Sequence, residues 1–192
     1  TYRVAYLVEE KEIDPSQILL LTFTNKASRE MLVRAERLVG SRVGGLWGGT
    51  FHHMANRMLR RHCRVLGYEA DFAILDQDDS RALIRTAVDD LGLKSKEFPK
   101  PDVLGGLFSL AANAEKKVGA LAEERFSDHP VSVDQILRVH DRYMKKKQDL
   151  NAMDFDDLLV NGLRLFREDE LLLLRYQEHF QHILVDEYQD TN

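Results

Sequence analysis

The segment that most constrains the fold is Ile18-Leu-Leu-Leu-Thr-Phe23, an apolar run that leads directly into a polar turn. A run of this length suits a strand that is buried on both faces, as in a parallel sheet. A buried helix is disfavoured because Pro15 lies just upstream, and because Thr24 and Asn25 are helix-capping residue types. The apolar residues that follow recur at helical spacing up to Gly40, which completes half of a βαβ unit.

Two further strands are predicted along the chain. Leu46-Trp-Gly-Gly-Thr-Phe51 indicates a second strand with a glycine break, and His182-Ile-Leu-Val-Asp-Glu187 indicates a third that ends in two acids. Between roughly Asp76 and Arg175 the pattern is helical, with almost no strand signal. We therefore expect an α/β fold in which an incomplete parallel sheet is interrupted by an all-helical insertion.

Helix-start signals divide the middle of the chain. Asp76 and Asp154 are capping residues, and Ser132-Val-Asp-Gln135 matches a capping box. A further helix is expected over Asp102–Val118, loosened by a pair of glycines. The lysine run Lys145–Lys147 is interpreted as solvated.

The composition argues against several classes of protein. Hydrophobic residues make up 44% of the 192 residues and charged residues 31%, which is ample for a core and argues against disorder. The single cysteine, Cys63, cannot form an intrachain disulfide, so we expect a reducing, cytoplasmic location. No apolar run is long enough to span a bilayer, and no membrane partner is expected. The net charge of −5 argues against a histone-like protein but permits a local basic patch.

The two acids that end the third strand are the strongest chemical signal. In open α/β sheets, ligands bind at the carboxyl ends of the strands. Asp186 can hold Mg²⁺ there, because this ion needs only one or two protein carboxylates. Glu187 can orient and polarise a water molecule for attack on a phosphate. The alternative interpretation is a strand that leaves the core into an acidic, solvated turn.

A polar turn follows the first strand. It places hydroxyl and backbone N–H groups at a helix N-terminus, which suits a phosphate group. Phe23 could stack on a base, and Lys26 could neutralise a phosphate. In the alternative interpretation, Thr24 or Asn25 only caps the helix and Phe23 lies in the core.

The turn after the second strand, Gly49-Thr-Phe-His-His53, has a similar position. Thr50 and His52 could reach a nucleic-acid backbone; alternatively, the turn is a glycine bend with a capping threonine. His52, His53 and Cys63 lack the spacing of a zinc site. The helix that follows has an arginine face without interleaved acids, which favours solvent or a polyanion. Its arginines are Arg57, Arg60, Arg61 and Arg64.

Together these strings resemble the superfamily-one DNA helicases of the UvrD/Rep/PcrA type. Thr22-Phe-Thr-Asn-Lys-Ala27 resembles that family's motif Ia, and Gly49-Thr-Phe-His52 resembles motif Ib. Val185-Asp-Glu-Tyr-Gln-Asp-Thr-Asn192 resembles motif II, the Walker B box. Residues 151–157 are similar to the stretch that leads back into the motor lobe. The order and spacing also fit, and the resemblance covers nearly the whole chain.

The resemblance implies a RecA-like P-loop NTPase lobe, termed 1A, that is interrupted by a helical subdomain, 1B. It assigns residues 1–70 and 166–192 to lobe 1A and residues 71–165 to subdomain 1B. It also implies use of ATP and Mg²⁺, 3′-to-5′ movement along single-stranded DNA, and unwinding of duplex DNA in repair or replication. The implied partners are single-stranded DNA, single-strand/duplex junctions and a second motor lobe of the same parent chain.

The resemblance further implies roles for individual residues. Asp186 would hold Mg²⁺, and Glu187 would be the catalytic base and a second candidate ligand of the metal. Gln189 and Asp190 would link the nucleotide state to the grip on DNA. The expected DNA track consists of Phe23, Thr24, Asn25, Lys26, Thr50, Phe51 and His52.

The family's phosphate loop, Gly-x-x-x-x-Gly-Lys-Thr, does not occur in the 192 residues. The chain begins at Thr1, with a helical pattern already under way over Tyr2–Glu10. We therefore expect a fragment of a longer helicase that does not hydrolyse ATP by itself. Two alternatives stay open, a subunit of a RecB/AddA-like helicase–nuclease and a DNA-binding module with a non-functional motor.

Overall fold

The computed structural model describes residues 1–127 and 131–190, without the side chains of Ser41 and Asp190. The chain forms two compact units: unit 1 comprises Thr1–Met58 and Arg164–Asn192, and unit 2 comprises Leu59–Leu163. The helices are α1 (Tyr2–Glu9), α2 (Asn25–Val39), α3 (Phe51–His62), α4 (Gln77–Asp90), α5 (Pro101–Asn113), α6 (Val118–Phe126), α7 (Val133–Asp149), α8 (Phe155–Glu168) and α9 (Glu170–His179). The strands are β1 (Ile18–Thr22), β2 (Trp47–Thr50), β3 (Ala73–Ile74), β4 (Ala152–Met153) and β5 (His182–Val185). Within the described residues, every helix is too short or too polar to cross a membrane.

Unit 1 contains a parallel sheet with the strand order β2-β1-β5. Leu21 of β1 lies beside Gly49 of β2 on one side and Val185 of β5 on the other. All five residues of β1 are buried, as expected for a central strand that is covered on both faces. The predicted combination of helices with a parallel sheet is confirmed.

Helices cover both faces of this sheet. On one face α1 and α2 pack on the strands, and Gly48 permits the close approach because a Cβ there would lie 2.6 Å from Leu32 Cδ2. The core on this face consists of Val4, Leu7, Val8, Ile18, Leu20, Met31, Ala35 and Val39. At Gly49 a Cβ would lie 2.7 Å from Met54 Cε and 2.8 Å from His53 Cδ2, so side chains from the first turn of α3 lie close against the strand. The central strand β1 is thus covered on both faces, whereas the edge strand β5 is more open, with Ile183 59% exposed. The carboxyl ends of the strands form the edge at which open α/β sheets bind ligands.

Unit 2 is built around helices α4–α7, which pack in pairs on an apolar core. The expected helix starts are confirmed. Asp76 and Ser132 each complete a capping box, at the starts of α4 and α7. Asp154 Oδ1 accepts a hydrogen bond of 2.8 Å from the N–H of Asp157 at the start of α8.

The prediction that the insertion is all-helical is wrong. β3 and β4 pair in parallel, with Ala73 beside Ala152 and Ile74 beside Met153. Each strand has only two residues, which is too short for an alternating pattern to register in the sequence.

The single helix predicted over Asp102–Val118 is also wrong, because α5 ends at Asn113 and the chain becomes helical again only at α6. Glu115 adopts a left-handed φ of 50°, and the N–H of Lys116 donates to the carbonyl of Ala111 at 3.0 Å. This is the Schellman arrangement that ends many helices. Glycine usually occupies the left-handed position, so a glutamate there gives no stop signal in the sequence.

The division between the units falls inside α3, ahead of the boundary at residue 70 expected from the sequence. Arg60 accounts for the difference. Its Nη1 donates to the carbonyl oxygens of Ala70 at 2.8 Å and Phe72 at 2.6 Å, and its guanidinium lies 3.7 Å from the Phe72 ring centroid. These contacts tie the second half of α3 to unit 2.

Candidate functional site

The carboxyl ends of β1 and β2 bring two predicted turns side by side. Thr22 and Thr50 are register partners, and both are buried. Thr22 Oγ1 donates to the carbonyl of Thr24 at 3.0 Å, and Thr50 Oγ1 accepts from the N–H of His53 at 3.2 Å. Both hydroxyls are therefore engaged in shaping the turns, and Thr50 is placed as a capping residue at the start of α3.

The turn after β1 ends at the N-terminus of a long helix. Thr24 Oγ1 accepts from the N–H of Ala27 at 3.1 Å, so Thr24 caps α2. Asn25 and Lys26 occupy the exposed first turn of this 15-residue helix. Backbone N–H groups, the positive end of the helix dipole and a lysine are combined here, and together they favour a phosphate.

An aromatic pair joins the two turns. The ring centroids of Phe23 and Phe51 are 5.5 Å apart, with the ring planes tilted by 55°. Phe23 is 44% exposed, so the alternative that places it in the core is wrong. His52, next in sequence to Phe51, is partly exposed. The residues expected to form a DNA track thus lie together at one edge of the sheet, with an aromatic surface open to solvent.

The acidic pair lies at the same edge, after β5. The N–H of Asp186 donates to the carbonyl of Leu21 at 2.9 Å, which extends the pairing of β5 with β1 by one residue. Asp186 and Glu187 are both exposed. Glu187 has a left-handed φ of 52°, and its carboxylate accepts a hydrogen bond from Gln189 Nε2. Backbone pairing therefore fixes where the two acids leave the sheet.

The rest of the predicted motif is only partly described. Tyr188–Asp190 form a short 3₁₀ turn, so the chain does not continue as a strand. Asp190 was expected to couple the nucleotide state to DNA, but its side chain lies outside the description, as do Thr191 and Asn192.

The carboxylates at this edge suit Mg²⁺ better than they suit a metal ion whose ligands all come from protein side chains. In the part of the chain that the structure describes, no group of three His, Cys, Asp or Glu side chains could hold a metal ion. Mg²⁺ keeps most of its waters and is commonly held by one or two carboxylates together with substrate phosphates. Asp186 and Glu187 supply carboxylates of that kind.

The sequence does not predict an aromatic contact at Trp47, the first residue of β2. The Cζ atom of Arg57 lies 3.5 Å from the centroid of the Trp47 ring. The centroids of the Trp47 and Phe180 rings are 5.1 Å apart. Arg57 was assigned to an arginine face that favours solvent or a polyanion; its guanidinium packs on an aromatic ring, and the residue is only partly exposed. A single tryptophan and an arginine ten residues later leave no pattern that predicts this contact.

Comparison with known proteins bears on this geometry. The family model for the UvrD/REP helicase N-terminal domain matches residues 1–192. The chain is 38% identical over its whole length to "ATP-dependent DNA helicase PcrA" of Staphylococcus aureus, of which it covers 26%. It is likewise 38% identical to the protein of that name from Staphylococcus epidermidis, again covering 26%. The chain therefore spans about a quarter of the length of these curated relatives.

Proposed function

The chain belongs to the family of UvrD/REP helicase N-terminal domains, and on that premise we propose that it is part of an ATP-dependent DNA helicase. One observation carries the proposal: three motif-bearing turns, after β1, β2 and β5, meet at the carboxyl edge of one parallel sheet. Ligands bind at this edge in open α/β sheets. In this proposal unit 1 belongs to a RecA-like motor lobe and unit 2 to a subdomain of the 1B type.

The acidic side of the edge serves the nucleotide. Asp186 would hold Mg²⁺ with a bound nucleotide, and the ion would supply positive charge to the phosphates. Glu187, one residue further, orients the attacking water and takes its proton. Gln189 is hydrogen-bonded to the Glu187 carboxylate, which suits a residue that reports the state of the site. Asp190 is proposed for the same coupling role.

The aromatic side of the edge serves the DNA. Phe23 and Phe51 offer faces on which bases can stack, and every base has such a face, so binding tolerates any sequence. Asn25, Lys26 and His52 reach the phosphate backbone from the exposed helix starts. Thr24 and Thr50 act by holding the two turns in shape. The partners are single-stranded DNA and its junctions with duplex, with movement 3′-to-5′ driven by a second lobe.

Binding of a fluorescent oligothymidylate, followed by anisotropy, tests the DNA half of the proposal. Phe23→Ala is expected to weaken binding about 5- to 150-fold, since stacking of a base contributes roughly 1–3 kcal/mol. Tyr2→Ala removes another exposed aromatic of unit 1, 82% exposed on α1, and is the matched control with unchanged affinity. Equal losses in both variants would show that the strand-end edge is not the binding surface.

The nucleotide half is tested by hydrolysis. The 192 residues contain no phosphate loop, so the chain by itself is expected to show no DNA-stimulated ATP turnover. In a longer protein that carries this sequence together with a phosphate loop, Glu187→Gln is expected to lower turnover about 10²- to 10⁴-fold, as for loss of a general base. Turnover that is insensitive to this substitution would remove Glu187 from the proposed role.

A further inference from the structure

A buried lysine lies in unit 2, whereas the acids proposed to act on the nucleotide belong to unit 1. The lysine run was predicted to be solvated, and for Lys147 this is wrong, because it is only 2% exposed. Its Nζ lies 2.6 Å from Asp154 Oδ2 and 2.6 Å from Asp157 Oδ2. Lys147 continues the inward face of α7, four residues after the buried Tyr143, whereas Lys145 points outward. Helical position therefore separates the two lysines.

Tyr143 completes the cluster. Its hydroxyl donates to Asp154 Oδ2 at 2.7 Å, and its ring centroid lies 4.4 Å from Lys147 Nζ. Burial raises the pKa of Asp157, whereas for Asp154 the effect of burial is outweighed by the Lys147 ammonium, so that its pKa is lowered. Two carboxyl groups thus share one buried cation.

The same carboxyl groups also start α8. Asp154 Oδ1 accepts from the N–H of Asp157 at 2.8 Å, and Asp157 Oδ2 accepts from the N–H of Asp154 at 3.0 Å. This reciprocal cap satisfies backbone donors that a helix start otherwise leaves unpaired. The charge of Lys147 and the beginning of α8 are therefore linked through the same two side chains.

The upstream end of this segment is held separately. Asn151 has a left-handed φ of 47°; its Oδ1 accepts from the N–H of Glu69 at 3.0 Å, and its Nδ2 donates to Asp71 Oδ1 at 3.1 Å. β4 follows and pairs with β3. Residues 151–158 are thus fastened at one end by a turn and a strand pair and at the other by the lysine cluster. We call residues 151–158 the return segment.

We propose that Lys147 is an electrostatic latch for the return segment, and that loss of its charge opens this segment separately from the core of unit 2. Without the ammonium, two carboxyl groups face each other at a buried site with no cation between them. Opening of the segment lets water reach them, so local opening relieves the repulsion and the desolvation cost. Opening of the helical core around α4 would relieve no such repulsion, so the free energy of opening there should change little. The start of α8, in which the chain passes back from unit 2 to unit 1, is therefore set by one buried charge.

Amide hydrogen exchange on the 192-residue chain tests the latch. Lys147→Met keeps the length of the side chain and removes its charge. The amides of Asp154, Asp157 and Leu158 are expected to exchange at least about tenfold faster, with a much smaller change at Ile84–Val88 in α4. Lys145→Met, which removes an exposed lysine from the same helix, is the matched control with no change in either region.

A triple variant separates charge from packing. Adding Asp154→Asn and Asp157→Asn to Lys147→Met removes the repulsion, and asparagine keeps the helix cap, so slow exchange should return in the segment. Should Lys147→Met fail to fold, Tyr143→Phe removes one donor to Asp154 and is expected to speed exchange in the same segment alone. An equal acceleration in α4 and the segment, or fast exchange that persists in the triple variant, would overturn the proposal.

Discussion

Two strands in this molecule end in a pair of acids, and the two pairs lie in opposite environments. After β4 in unit 2, Asp154 and Asp157 surround a lysine that is 2% exposed. After β5 in unit 1, Asp186 and Glu187 are exposed, and Gln189 donates to the Glu187 carboxylate. Each pair begins directly after a short strand; Asp157 lies in the first turn of α8, whereas Glu187 precedes the 3₁₀ turn Tyr188–Asp190.

A strand that is followed by acidic residues does not by itself define the role of those residues. In unit 2 both carboxyl groups of the pair accept hydrogen bonds from donors of the protein itself, so the two acids stabilise a helix start and hold a cation. In unit 1 the acids face solvent at the open edge of a parallel sheet, where carboxylates can bind a ligand. Burial and the supply of internal donors distinguish a structural pair from a pair available for chemistry.

The largest expected effect is on the local stability of the return segment in unit 2. Lys147→Met breaks a buried charge cluster and is expected to lower the free energy of opening of this segment by about 3–5 kcal/mol, with a much smaller change in the α4 core. Lys145→Met loses only an exposed pair with Asp149 and is expected to cost about 0.5 kcal/mol or less. Amide hydrogen exchange at Asp154, Asp157 and Leu158 in both variants measures the difference. Similar, small losses in the two variants would mean that burial adds nothing to the interaction of the acids in unit 2 with their lysine.

Smaller effects on stability, opposite in sign to each other, are expected at the two residues of left-handed conformation that lie beside the acidic pairs. Glu187→Gly removes a side chain from a φ of 52° and should stabilise the chain by about 1 kcal/mol. Asn151→Gly, at a φ of 47°, loses the hydrogen bonds to Glu69 and Asp71 and should destabilise it by about 1 kcal/mol. Thermal unfolding of the two variants measures both signs. A stability change of the same sign in both variants would contradict the contrast between a strained Glu187 and a hydrogen-bonded Asn151.

The smallest effect concerns an acid of intermediate character, Asp90, which connects α4 to α7. Hydrogen bonds from Lys146 and Arg142 hold the pKa of Asp90 below its ordinary value of 3.8. A carboxyl group with a lowered pKa stabilises the fold above its unfolded value and loses that contribution as the pH falls through the folded value. The charge-dependent part of the stability difference between the unaltered chain and Asp90→Asn should therefore be constant near neutral pH, begin to shrink as the pH falls to about 3.8, and vanish only below the lower pKa of the folded state. Denaturation at a series of pH values checks this, and a difference that grows on acidification would reverse the sign.

Much of unit 1 is predictable because its signals are local and periodic. β1 is an apolar run of strand length between a proline and a capping threonine, and its burial on both faces follows from that pattern alone. The meeting of the three turns is also predictable, since parallel strands bring their carboxyl ends to one edge. The exposure of Phe23 is not, because an aromatic after a strand suits either a core or a binding surface.

Unit 2 is less predictable because its distinctive features depend on long-range contacts. Lys147 and Lys145 are both lysines of one run, and only the direction of the helix face separates them. β3 and β4 are paired across almost eighty residues of sequence and are too short for a pattern. The end of α5 rests on a left-handed glutamate, which mimics the conformation of a glycine without its sequence signal.

The central claim is that the strand-end edge of unit 1 is the surface that binds single-stranded DNA. Nuclear magnetic resonance of the 192-residue chain, titrated with an oligothymidylate, tests it residue by residue. The largest shifts are expected at the amides of Phe23–Lys26 and Thr50–His53, and they should weaken steeply as salt is added. Shifts confined to other surfaces, such as α9, with these two turns unchanged at saturating DNA, would contradict it.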